Sequence, residues 1–439
     1  MDTTSLSRVT GRTSNHHRNV ASQRRPSLPS PGSLGFSALI ACWLITGCAD
    51  AEQADSTLVR DSAGVAIVTS TTPAWDASEP WQLSEEPRLT IGVLAGNPAY
   101  EFSDIRGVSR LTDGRIAVAD NGAHELRVFD LTGAHVASAG RLGGGPGEFR
   151  RLTWMGVLEG DTIVVYDQPQ RRVSVFDAAA RHVRDVSIAR NDRTFFPILL
   201  GRDSAGNYIG QLYVRRRAEE LPDGLVQDSV AIIRLDPTGR LLDTLTMAPH
   251  FLRDVRMRSV GDRRLRIPAT LPFSPEAVSV YANGRTYLGT GETFEIRTYG
   301  AAGHLERLTR LEGSPPEITA ADIDGLVAHW RGIYEGQTEN PEVKFFLRRL
   351  EETTPPERFP AFSAIVVDPA GHLWVTAYRR PWEDVPPRWT IIDSQGRWLG
   401  ELEGPAGFQL MEAGSDYLLG IEPDEMEVQR VVLYDLIKP

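Results

Sequence analysis

Cysteine is almost absent from the 439 residues: there are two, Cys42 and Cys48, both near the N-terminus. Beyond Cys48 no thiolate exists for nucleophilic catalysis, a zinc site or an iron–sulfur cluster, and no disulfide can form. A domain of several hundred residues does without such cross-links because it buries a large core. The patterns G-x-S-x-G, H-E-x-x-H and the EF-hand loop are missing as well. The run Gly143-Gly144-Gly145-Pro146-Gly147 fails both phosphate-loop templates, since Glu148 stands where a third glycine is needed and no Gly-Lys-Ser/Thr follows. It reads as a tight crossover that needs Gly and Pro for its backbone geometry.

Positive charge is in deficit: 47 Lys and Arg face 58 Asp and Glu, for a net charge of −11. Five arginines (Arg8, Arg12, Arg18, Arg24, Arg25) stand against the single acid Asp2 ahead of the apolar run LGFSALIACWLITG, which ends just before Cys48. That run is too short for a stable membrane span and reads as the core of an export signal. Removing residues 1–47 leaves 42 basic and 57 acidic residues, a net −15, which repels nucleic acid. No nucleic-acid partner is expected.

The four residues Ile45-Thr46-Gly47-Cys48 resemble a bacterial lipobox. The resemblance implies that Cys48 becomes the mature N-terminus, carries lipid with acyl chains such as palmitate, and anchors the protein to a membrane of the cell envelope, on its periplasmic or outer-surface side. The expected organisation is a lipoprotein signal peptide over residues 1–47, a tether over 48–60 and a folded domain over 61–439.

Within that domain a turn glycine followed by an alternating strand recurs: DGRIAVAD from Asp113, GDTIVVYD from Gly160, AGNYIGQLY from Ala205, NGRTYLGTG from Asn283, AGHLWVTAY from Ala370 and a degenerate GSDYLLGI from Gly414. Each is followed by a second short strand. The interval between turn glycines is 46 residues twice, from Gly114 to Gly160 and on to Gly206, the length of a four-stranded blade; the next two intervals are 78 and 87. The pattern predicts an all-β, six-bladed β-propeller. The last block leaves no room for a fourth strand, while GVAIVTS from Gly64 and WQLSEEPRLTIG from Trp81 supply strands without a blade. N-terminal strands are therefore expected to close the last blade. Between Thr319 and Glu351 the apolar period becomes helical, with Thr319 and Asn340-Pro341 as starts, so a small helical insertion over about 317–352 is expected between blades 4 and 5.

The linker GRLGGGPGEF following DGRIAVADNGAHELRVFDLTG resembles the NHL-type six-bladed propellers, over about residues 60–438 and most closely in the first two blades. That resemblance implies a ligand-binding module or scaffold. A few such propellers are metal-dependent lyases or lactonases, and this is the competing reading.

Strands alternate in direction within a blade, so b–c loops and d–a crossovers open on one face. All four long connections belong to that class: Val214 to Asp228, Ala248 to Leu271, Gly313 to Pro360 and Tyr378 to Arg388. The working face is expected there. The candidate binding residues are Arg215, Arg216, Arg379, Arg380 and Trp382, for an anionic ligand or a protein partner, with Asp120 and Asp167 as possible cation ligands. The alternative for both aspartates is to cap a turn through its own backbone, and for the arginines to pair with neighbouring acids. The histidines are scattered, so neither a catalytic group nor a cofactor is expected.

Overall fold

The alternation of apolar and polar residues resolves into six antiparallel sheets in the computed structural model, which describes residues 56–75, 80–189, 197–214, 216, 220–260 and 263–439. The expected signal peptide, Cys48, the tether up to residue 55, and Arg215 lie outside the described residues. From inner to outer strand, blade 1 is Ile105–Arg110, Ile116–Asp120, Glu125–Phe129 and His135–Ala139. Blade 2 is Leu152–Leu158, Thr162–Asp167, Arg172–Phe176 and His182–Ser187. Blade 3 is Ile198–Arg202, Tyr208–Val214, Gly224–Leu235 and Leu241–Val260; blade 4 is Val278–Ala282, Arg285–Gly289, Glu295–Tyr299 and Leu305–Leu311. Blade 5 is Phe362–Val367, Leu373–Ala377, Arg388–Ile392 and Trp398–Glu403; blade 6 begins Gln409–Ala413, Tyr417–Pro423 and Gln429–Ile437. The protein is a six-bladed β-propeller.

The repeat's turn glycines are required by the backbone. Gly114, Gly206 and Gly371 sit at φ of +89°, +86° and +85°, in the region that side chains other than glycine resist. Between blades the apolar faces meet in shared cores. Leu126 and Val128 of blade 1 pack with Ile163 and Val165 of blade 2, and so on round the ring to Leu419 and Leu433 of blade 6, which pack with Val108 and Val118 of blade 1. Each such side chain contributes about 1.5–3 kcal/mol on burial. The inner strands of neighbouring blades touch at all six junctions, so the ring is closed.

Blade 6 obtains its missing strand from the N-terminal side. Leu89–Ile91 pairs antiparallel with Gln429–Ile437 (Val431 opposite Ile91), and Gln82–Leu83 pairs further along the same strand. The earlier strands do something else. Thr57–Ser62 and Val65–Ser70 form a hairpin whose second strand runs parallel to Leu305–Leu311, widening blade 4. GVAIVTS therefore does not help close blade 6, because one strand fills that deficit and the hairpin pairs with the open outer edge of blade 4 instead. The strand Thr57–Ser62 also overlaps the stretch expected to be tether. Between these sites the N–H groups of Ala74 and Trp75 bond the carbonyls of Trp398 and Leu399 on the outer strand of blade 5, at 2.9 and 2.7 Å. The N-terminal segment is thus a strap along three consecutive blades.

Glu412 stands at the closing seam. On the inner strand of blade 6 it accepts the N–H of Arg110 in blade 1 at 3.2 and 3.3 Å and the Tyr417 hydroxyl at 2.6 Å. Burial pushes its carboxyl above the ordinary 4.5, against the opposing effect of those bonds. A folded-state value above the unfolded one means that its stabilisation is complete below the unfolded value and is lost as pH rises through the folded one. Glu412→Gln is accordingly expected to raise the Tm near pH 8 and to leave it unchanged near pH 4. A Tm difference independent of pH would show that ionisation of Glu412 has no part in the seam.

Candidate functional site

The long connections do emerge on one face, but those of blade 3 are not loops. Gly224–Leu235 and Leu241–Val260 continue past the blade as paired strands, and Arg263–Thr270 adds a third from Val260 opposite Arg263 to Arg253 opposite Thr270. Period-two sequence such as FLRDVRM pairs as readily above a blade as within it, and Leu221, Val226 and Val255 give the extension its own small core. Three of its arginines have acidic partners among the described residues. Arg253 meets Asp228 at 2.5 Å with both side chains nearly buried, Arg256 meets Asp254 at 2.6 Å and Arg266 meets Asp223 at 3.2 Å. Arg216 is exposed on this part of the face, apart from the other candidates.

The insertion between blades 4 and 5 consists of α1 (Ala320–Ile333) and α2 (Pro341–Glu352). Thr319 caps α1, its N–H and hydroxyl both donating to the Asp322 carboxylate at 2.8 and 2.7 Å. Asn340 caps α2 by accepting the Glu342 N–H at 2.9 Å, with Pro341 in the first turn. Leu326, Val327 and Leu350 on the inner stripes pack with Phe273, Phe359, Tyr378 and Trp382 from the connections of blades 3 to 5.

Two candidate binding residues turn out to hold this insertion in place. Arg380 reaches α1 through Asp322, Nε to Oδ1 at 2.8 Å, bonds Glu383 with its Nη1, and lies 4.7 Å from the Phe359 ring centroid. Burial works against the Asp322 charge, yet Thr319 and Arg380 together hold its carboxyl below the usual range. Trp382 packs on Phe273 at 5.9 Å and against Gly325, where a Cβ would come within 2.9 Å of the indole. Glycine is needed there for the helix to approach. Arg379 differs: its Nη1 donates to the Val385 carbonyl at 2.7 Å, and among the described residues no carboxylate matches its charge.

Asp120 and Asp167 lie in blades 1 and 2, away from the insertion, and both are occupied by backbone. Asp120 accepts the N–H groups of Asp104 at 3.1 Å and Gly122 at 3.0 Å through Oδ1, while its Oδ2 lies 3.7 Å from Nη1 of the buried Arg127. Asp167 accepts those of Arg150 at 2.5 Å, Arg151 at 3.2 Å and Gln170 at 3.0 Å, plus the Gln170 amide at 2.7 Å. Each staples the incoming crossover to the b–c turn of its own blade. The glycine-rich crossover is likewise held internally, by Arg172 to the Gly144 carbonyl at 2.9 Å and by the Gly145 N–H to Glu148 at 2.8 Å. His250 is buried, its Nδ1 accepting the Ala277 N–H at 3.0 Å. Among the described residues no group of three or more His, Cys, Asp and Glu is arranged to hold a metal ion.

Between blades 4 and 5, on the insertion-bearing side, a cleft of about 720 Å³ opens. Its walls are the crossover at Gly313, Pro315 and Pro316, the return at Phe359 and Pro360, and the b–c loop of blade 5 from Tyr378 to Arg388. Burial pushes the Tyr378 hydroxyl up to about 12, so it stays a proton donor, although Arg380 opposes the shift. Arg379, Arg380 and Arg388 face Glu312, Glu383, Glu401 and Glu403, a lining of mixed sign. Arg388 is only loosely tied to Glu401, at 3.6 Å with both side chains about half exposed. The cleft is the feature that reading the loops for charge did not find; the density of prolines around it, with Pro386 and Pro387 in the third wall, was the available signal.

Residues 97–189 match the model of family DUF5128, described as a 6-bladed beta-propeller. No curated protein sequence matches the chain. Among solved structures, a member of the DUF4221 family from Bacteroides vulgatus is similar at 10% identity and a TM-score of 0.48, over 83% of this chain and 100% of that one. A putative exported protein from Bacteroides fragilis is similar at 13% identity and a TM-score of 0.46, over 85% and 99%. Virginiamycin B lyase from Staphylococcus aureus is similar at 10% identity and a TM-score of 0.38, over 82% and 100%.

Proposed function

We propose that the protein is an envelope-anchored propeller lipoprotein whose insertion-bearing face binds a ligand or partner without turnover. The observation that supports this most is the cleft between blades 4 and 5. Its volume falls in the range of small-molecule sites, and its proline-rich walls, braced by the Arg380–Asp322 pair, are formed before anything binds. Preformed walls reduce the ordering cost of binding. Within it Arg379 offers a guanidinium that no carboxylate matches among the described residues, and Arg388 one that is loosely matched; a ligand that carries a carboxylate, sulfate or phosphate suits these two residues.

The test is capture from native envelope extract by the immobilised protein. Arg379→Glu with Arg388→Glu is expected to weaken capture about tenfold. Arg181→Glu, exposed in a turn of the opposite face, is expected to leave it unchanged. Equal loss in both variants would reduce the effect to net charge and remove the cleft from the account.

A further inference from the structure

We propose that the insertion-bearing face lies against the lipid leaflet that holds the anchor, with apolar side chains at the tips of its connections entering the headgroup boundary. The inference rests on the lipoprotein reading and adds to it an orientation and a second contact with the membrane.

Chain path gives the first argument. Thr57 pairs with Ser70, and Ser70 runs beside Leu311 at the end of the outer strand of blade 4. The Glu312 N–H bonds the Ser70 carbonyl, and the Thr71 N–H bonds that of Ser56, both at 3.0 Å. Ser56 therefore stands at the same end of blade 4 as the cleft walls Leu311 and Glu312. It is eight positions on from Cys48, a span of at most about 29 Å when fully extended. Lipid on Cys48 would keep this rim, and the face it borders, close to the leaflet.

Exposed apolar residues give the second, independent argument. Leu94, Leu142, Leu225, Ile333, Val385 and Met426 are all between 42% and 67% exposed. They belong to six different features of this one face: the 6-to-1 crossover, the 1-to-2 crossover, the blade 3 extension, the end of α1, the b–c loop of blade 5 and the b–c turn of blade 6. On the other side Leu131 lies in a c–d turn, and Val136, Val183, Leu241, Leu242 and Ile437 are exposed at the strand ends that adjoin it, so among the described residues the apolar tips of the connections are matched there by one turn residue only. A single exposed leucine needs no explanation, but apolar tips spread round one side of the ring do. Aliphatic tips at that spacing suit a broad, laterally continuous apolar layer better than one pocketed partner. Exposed Arg388 on the same side, only loosely tied to Glu401, can extend its charged end to lipid phosphates while its stem stays at the boundary. In this orientation the cleft between blades 4 and 5 opens at headgroup level.

The absence of cysteine after Cys48 makes the test clean, because a lipidated Cys48 has its sulfur blocked and a single introduced cysteine takes a fluorophore alone. Full-length protein carrying a probe at Leu142→Cys or Met426→Cys, or on the other side at Leu131→Cys or Val183→Cys, is reconstituted into phosphatidylcholine–phosphatidylglycerol vesicles with brominated acyl chains. The face probes are expected to be quenched several-fold more than the opposite ones; two positions per face guard against one variant misfolding. Quenching on the opposite face, or on neither, overturns the proposal. So does quenching of the face probes that disappears when envelope proteins are added back, which would assign the surface to a protein partner. Incorporation of labelled palmitate, compared between wild type and Cys48→Ser, reads the anchor separately. With label present and the quench absent, the lipoprotein reading stands and the docking face falls. With no label in either, the anchor reading falls, and the quench with added vesicles still decides the face.

Discussion

A chain lacking Asp61 to Gly92 is expected to lose cooperative melting, whereas one lacking Ala49 to Asp55 is expected to melt like the parent. The longer deletion removes the hairpin strand Val65–Ser70 from blade 4, the contacts of Ala74 and Trp75 with blade 5, and the fourth strand of blade 6. Three blade edges are bared together, and open edges invite pairing with other chains. Side-chain packing goes with them. Trp75 and Trp81 pack tilted with ring centroids 5.0 Å apart, Trp81 is buried against Trp374, and Lys438 lies 4.2 Å above the Trp81 ring. Truncating one buried tryptophan costs about 3–5 kcal/mol, against a total stability of about 5–15 kcal/mol for an ordinary domain. Calorimetry of both truncations checks this, and melting temperatures within a few degrees of each other would contradict the strap.

Arg380→Glu is expected to destabilise the fold by about 2–3 kcal/mol. The substitution places a third carboxylate beside Asp322 and Glu383, removes the cation that adds to Thr319 in keeping the Asp322 carboxyl ionised, and uncovers the Phe359 ring. A fully buried pair would lose more; here the Arg380 side chain is 32% exposed and solvent screens part of the repulsion. Arg379→Glu, one residue away, forfeits a single hydrogen bond to the Val385 carbonyl and is expected to cost about 0.5 kcal/mol. Urea midpoints at equal slope measure both. Similar shifts for the two would mean that Arg380 does not brace the insertion.

The six blades were legible in the sequence because two periods coincide there: alternation within each strand, and a glycine at positive φ before it. Helix caps at Thr319 and Asn340 were legible for the same kind of reason, since a cap is a local hydrogen bond. What could not be read was partnership at a distance. Nothing local says that Val65–Ser70 pairs with blade 4 rather than blade 6, because both edges offer the same backbone groups. Nor does the sequence near Arg380 show Asp322, 58 positions away, which turns an apparent ligand contact into a brace. Above blade 3, likewise, pairing of the long strands brings Asp228 to Arg253, a partner 25 positions away that the arginine-rich stretch itself does not show. Asp120 and Asp167 followed the turn-capping alternative, which depends only on neighbours in the turn and on the crossover that meets it.

The proposed binding on the face that carries the cleft between blades 4 and 5 turns on Arg379, whose charge no carboxylate matches among the described residues. The most direct measurement is envelope capture at low and high salt by wild type, the Arg379→Glu, Arg388→Glu double variant and Arg181→Glu. Wild type and Arg181→Glu are expected to capture equally and to weaken together as salt screens the contact; the double variant is expected to capture about tenfold less at low salt and to respond little to added salt. Capture by the double variant that equals wild type at both ionic strengths would contradict it.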